Sequence, residues 1–200
     1  MPKPIIPGPP TMPDMKNMLA YTIQGSIANS FTPMIVVGQG ASKVTFSPKQ
    51  SQNDSYWFAI LDRTDPKKLV KDFVVPGQNN TTVPAGLEAY MSNPQYLYAL
   101  VTQALSTLHV PQGALYDFLK KYGAGREMQR LEQVYTSLNC GTFGHVSYIL
   151  TGQGDPRNNP NFPPPPTYEI GSIDDIPVLT MSLMPLASGP PYSICDSSMF

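Results

Sequence analysis

The chain has 200 residues, enough for one core, since single cores grow to about 250 residues before chains divide. Its apolar share of 41% is ordinary, but charged residues make up only 14%, against about a quarter in typical soluble domains, so much of the surface is uncharged. A net charge of -1 with no Lys/Arg cluster excludes the electrostatic footprint of a nucleic-acid binder.

Residues 1–16 are dense in proline, which fixes φ and removes donors, so they read as an extended arm. The same stretch has no continuous apolar run, and a secretory signal peptide is not expected. No segment approaches the roughly 20 apolar residues that span a bilayer, so membrane insertion is not expected either. These features suit the cytoplasm, a place in a larger assembly, or export by a non-classical route. Residues 17–154 are read as one globular domain, and residues 155–200 as a proline-rich linker and acidic tail.

Residues 17–42 contain no charged side chain. Alternation at Leu19, Tyr21 and Ile23, and the run Met34 to Val37, predict two strands joined through a Ser/Asn/Pro turn. They are either inner strands of a sandwich or a surface meant to be covered by another chain. Tyr56 to Leu61 is a dense apolar run predicting a buried strand. Asp62-Arg63-Thr64-Asp65-Pro66 carries turn chemistry, and Lys67 to Val75 resumes as the second strand of a hairpin closed by Pro76 and Gly77. The Asp62-Arg63 pair is expected to be a surface ion pair or a turn cap.

Beyond it the period changes from two to 3.6. A short helix follows Val83 and Pro84 through Met91, and Pro94 ends it. Tyr96 to Val101 predicts a buried strand. Leu115, Phe118, Leu119 and Tyr122 lie on one helical face with Gly123 as C-cap, and Met128, Leu131, Val134 and Tyr135 face inward from a further helix. Val146 to Leu150 closes the middle as a strand. In the tail, alternation over Ile176 to Leu186 predicts one strand, needing an edge that the uncharged 17–42 region supplies in the same chain or in a neighbour.

The strand ending ILDRT, the P-x-G-x-L-x-x-x-L-x-x-x-G-A pattern of Pro111 to Ala124, the R-x-x-x-x-L-E of Arg126 to Glu132 and the closing SYILTGQG together resemble the interleukin-like EMT inducer domain. That domain occurs in cytokine-like proteins and as a module in larger extracellular and bacterial proteins. The resemblance covers about residues 56–152. It implies two antiparallel sheets flanked by helices and a binding module, with glycan recognition in some members, and it implies no enzyme. The signal and the four-cysteine pattern of the animal proteins are absent, so the cytokine role is not carried over, and no residue inherits a named site.

Individual residues offer little chemistry. Cys140 and His145 make a thiol-imidazole pair thinkable, against a glycine-rich loop with Cys140 packed as a small hydrophobe. Cys140 and Cys195 are read as two thiols, since one pair is no disulfide framework. Gly38-Gln39-Gly40 and Gly123-Ala124-Gly125 are fragments of phosphate-loop patterns, and helix capping explains the second better. Asp14, Asp174 and Asp175 read as solvated carboxylates, not a cation loop. Trp57, Tyr90, Tyr96 and Tyr98 suggest a sugar-stacking platform, although their spacing places most of them in the core.

The expected fold class is therefore α+β: two antiparallel sheets packed as a sandwich with flanking helices, plus proline-rich terminal arms. The expected function is a non-enzymatic interaction protein assembled with copies of itself or another protein. The alternative is a monomeric carbohydrate-binding module. No catalytic, cofactor-binding or metal-binding residue is assigned, no cofactor is expected, and nucleic acid is not a partner.

Overall fold

Strands β4 (Ser55–Asp62), β6 (Tyr96–Gln103) and β8 (His145–Gln153) are buried along nearly their whole length, and they form the centre of the molecule. The computed structural model describes residues 17–27, 31–50, 52–138, 144–154, 165–173, 175–186 and 190–195, with the side chains of residues 135 and 138 left aside. Both faces of the central strands are covered, which is why they read as continuous apolar runs. On one face Tyr56, Phe58, Ile60, Tyr98, Leu100, Tyr148 and Leu150 meet α1 (Leu87–Met91), α2 (Gly113–Lys121) and α3 (Arg126–Leu138). On the other, Trp57, Ala59, Leu61, Leu97, Ala99, Val101 and Ile149 meet a second sheet.

That second sheet has the order β11-β10-β1-β2-β3, all antiparallel: β1 (Leu19–Gln24), β2 (Met34–Val37), β3 (Val44–Phe46), β10 (Val178–Pro185) and β11 (Tyr192–Cys195). The inner sheet runs β5 (Leu69–Pro76), β4, β6, β8; the first residues of β8 also pair with β7 (Leu105–Ser106). Ile149 to Thr151 are bonded both to β6 and to β9 (Tyr168–Ser172), so β9 lies on the opposite edge of β8 from β6. The molecule is a β-sandwich with helices on its far side, as the sequence predicts. The arm at residues 1–16 lies outside the described residues.

The predicted hairpin is β4 and β5, registered from Ser55 opposite Pro76 to Leu61 opposite Leu69 with a bulge between Ile60 and Leu61. Helix α2 ends as expected: Gly123, at φ +96°, donates to Lys120 O and Ala124 donates to Leu119 O, the paired bonds of a Schellman cap. The tail departs from expectation. Its one predicted strand exists as β10 and pairs with β1 of the same chain, Leu19 opposite Leu183. Two further strands flank it, β9 in the inner sheet and β11 beyond β10. β9 turns back onto the preceding strand β8 and β11 folds back onto β10, and this pairing supplies what local composition lacks in YEIGS and YSIC.

Candidate functional site

The second sheet has an inner and an outer face, and the outer face is the candidate site. Tyr21, Ile23, Ile35, Val37, Met181, Leu183 and Ile194 point into the core. Side chains alternate along a strand, so the intervening residues face away. By register they form rows: Val178, Gln24 and Met34; then Thr180, Thr22, Val36 and Thr45; then Cys195, Ser182 and Ala20; then Ser193 and Met184. Each of these side chains is half-buried or exposed, Val178 being 49% exposed, and none is charged. The middle row is β-branched across four strands, which gives a stiff, even surface. Of the two readings of residues 17–42, the structure bears out strands of a sandwich: β1 and β2 bury one face in the core, and their other face is uncharged. At its margin Cys195 is a free thiol whose pKa burial pushes up.

The Asp62-Arg63 pair separates into two unrelated jobs. Asp62 Oδ1 accepts from the Thr64 backbone N–H at 2.8 Å and from Thr64 Oγ1 at 2.7 Å, the turn cap expected of it. The Thr64 hydroxyl bond holds the Asp62 carboxyl below the usual carboxylate range. Arg63 is not on the surface, being only 8% exposed, and it forms no ion pair among the described residues. Its Nε donates to Tyr192 O at 2.8 Å, one Nη to Pro94 O at 2.7 Å and the other to Ser193 Oγ at 3.2 Å. Its planar fork therefore clamps edge strand β11 onto the end of the inner sheet, and burial lowers its pKa.

Two polar clusters lie outside every sequence reading. Asp54, just before β4, sits at φ +54° and holds His109: its Oδ2 lies 2.6 Å from His109 Nδ1, and its Oδ1 accepts from the Ser106 N–H at 2.9 Å. Gly77 donates to Asp54 O, and a Cβ at position 77 would meet the Asp54 carboxyl at 2.3 Å, so the site needs glycine there. Tyr56 donates its hydroxyl to His109 O. The other ring nitrogen of His109 has no hydrogen-bond partner among the described residues, so the pair orients an imidazole without placing a nucleophile beside it. The second cluster centres on Glu169 of β9. Its carboxylate accepts from the N–H groups of Gly125 and Glu127 at the start of α3, at 3.0 and 2.9 Å, and from the Tyr148 hydroxyl at 2.6 Å. The free amides after Gly123-Ala124-Gly125 are thus filled by the chain's own carboxylate.

Other sequence candidates disperse. Trp57 and Tyr98 are core side chains, at 0% and 3% exposure. Tyr90 and Tyr96 are half-buried and tilted 46° to each other, with Phe73 edge-on to Tyr90, so these rings pack together without offering one flat platform. His145 is exposed at the start of β8, and Cys140, Asp14 and Asp174 lie outside the described residues. Gly38 and Gly40 adopt positive φ in the turn between β2 and β3. Among the described residues no group of three or more His, Cys, Asp or Glu side chains is placed to hold a metal ion, and no helix is long and apolar enough to cross a membrane. No protein-family model matches this chain, and no curated protein matches it either.

Proposed function

We propose that this chain is a non-enzymatic interaction module whose outer sheet face is covered by another protein chain, with the proline-rich segments acting as straps. The observation that carries this reading is the outer face itself, five strands wide and without a charge. A sheet face kept in water is ordinarily furnished with charged side chains, whereas the centre of an interface is depleted of them. The proline-rich sequence of residues 1–16, which leads into β1, supports the same reading, because a pre-extended segment loses little freedom on docking. The resemblance of residues 56–152 to the interleukin-like EMT inducer domain also favours a binding module over an enzyme.

A photo-activated cross-linking amino acid placed at Thr22, in the full chain and in the cells that make it, tests the reading. A protein adduct at position 22, with none from the same probe at exposed Gln129 on α3, is the expected result. A probe at position 22 that labels no protein overturns it. Retention of the purified chain on immobilised oligosaccharide would then favour the alternative, a monomeric carbohydrate-binding module.

A further inference from the structure

The inner sheet has an open edge, a surface separate from the outer face of the other sheet, and we infer that this edge takes an extended peptide of another protein as an added antiparallel strand. On the far side of the inner sheet, β9 is tied to α3: Arg130 donates to Gly171 O at 2.6 Å, and Glu169 accepts from Gly125 and Glu127. On the near side, β5 pairs with β4 alone. Gly77 donates to Asp54 O, and with Ser55 opposite Pro76 this makes Asp54 and Gly77 a hydrogen-bonded pair. Alternation along the ladder then turns the N–H and C=O groups of Val75, Phe73 and Lys71 toward β4. Those of Val74 and Asp72 point outward, where no partner meets them among the described residues. Pro76 falls at the next outward position, where its missing N–H costs no bond to β4.

The outward groups select their occupant by chemistry. Donors and acceptors repeating at about 6.8 Å along an edge are matched by another extended backbone, and antiparallel pairing is the more stable. Val70, Phe73, Val74 and Val75 are half-buried, so an added strand covers apolar surface on both faces of β5. The two charges set the register. Lys71 is exposed beside Phe73, its Nζ 5.6 Å from the ring centroid, and Asp72 lies on the opposite face. Two copies of β5 paired about a two-fold axis oppose either Asp72 to Asp72, or Lys71 to Val75 and Asp72 to Val74, and neither register matches a charge. A strand with an acid opposite Lys71, a β-branched residue opposite Phe73 and a base opposite Asp72 matches both charges. Lys71 and Pro76 also bar indiscriminate pairing, so the edge admits a complement and not any strand.

The probe is the acetylated and amidated peptide Thr-Ile-Thr-Val-Arg-Glu, whose third to sixth residues fall opposite Val74, Phe73, Asp72 and Lys71, added at up to millimolar concentration to the isotope-labelled full chain. Amide exchange followed by NMR reads the contact. Without peptide the Asp72 and Val74 amides should exchange fast and those of Phe73 and Val75 slowly; with peptide the first two should slow by about tenfold or more. N-methylation of the peptide's third and fifth residues, whose N–H groups face β5, should abolish that protection, and N-methylation of the fourth should not. Lys71→Glu should weaken the complex with an unchanged thermal midpoint, and a peptide with Lys in place of Glu should restore it. No protection at any concentration overturns the inference, as does protection that survives methylation of the third and fifth residues, or a complex that Lys71→Glu leaves intact. Asp72 and Val74 amides that slow as the chain alone is concentrated would assign the edge to a second copy and likewise overturn it. The cross-link at Thr22 stands or falls separately, because β5 belongs to the inner sheet.

Discussion

The two sheets of this molecule handle water in opposite ways. The inner sheet is enclosed on both faces, and β4 and β6 are buried at seven of their eight positions. The outer sheet is enclosed on one face, and β1, β2 and β10 show period-two burial. Enclosure explains why the inner strands are continuously apolar. It does not explain why the outward residues of the other sheet avoid charge, since solvent would accept lysine or glutamate at each of them. The inner sheet's composition is a consequence of its enclosure, whereas the contacts of the inner face leave the composition of the outer face unexplained.

Substitutions make that contrast measurable. The largest effect should come from the enclosed sheet: Phe58→Ala, at 1% exposure, should cost about 3–5 kcal/mol in urea unfolding. A cost below about 1 kcal/mol would mean that the helix-side core tolerates a void. Next is the clamp between the sheets. Arg63→Ala leaves Tyr192 O and Pro94 O without their donors and should cost about 2 kcal/mol, with faster amide exchange in β11. Exchange unchanged at Ile194 would show that β11 is held without it.

Glu169→Ala should lower stability by about 1–2 kcal/mol through the exposed amides of α3, read as a drop in unfolding midpoint. A smaller loss, about 0.5–1 kcal/mol, is expected for Asp62→Ala. Its pH dependence has a definite sign. The folded carboxyl titrates below its unfolded value, so its contribution is complete above about pH 4 and fades as pH falls through the folded pKa. Wild type and variant should therefore converge on acidification; a gap that widens contradicts the cap. The smallest effect belongs to the open face, where Thr22→Val should change stability by no more than about 0.5 kcal/mol. A large loss there would show that Thr22 is packed within its own chain.

Legibility in the sequence follows the range of the causes. The hairpin of β4 and β5, helices α1 to α3 and strands β6 and β8 were readable because their periodicity and turn residues are local. The missed strands β3, β7, β9 and β11 are two to five residues long, too short to show a period, and are held by the strands they pair with. Half of the candidate face was visible as the charge-free run 17–42, and the other half, on β10 and β11, joins it only through folding. Arg63 departs from the surface ion pair expected of it because its neighbours in sequence form a turn while its hydrogen bonds reach Tyr192 and Ser193. Asp54 and His109, 55 residues apart, carry no sequence signal of their meeting.

The place of β10 between β1 and β11 has a consequence for biosynthesis. Leu19 must wait for Leu183 to leave the ribosome before it gains its opposite residue. At about 5–20 residues per second, that delay is on the order of ten seconds. Through this interval β1 and β2 exist with one flank open and uncharged, a target for chaperones and for neighbouring nascent chains on the same message. Lowering the translation rate over the second half of the coding sequence should therefore raise the aggregated fraction more than the same slowing over the first.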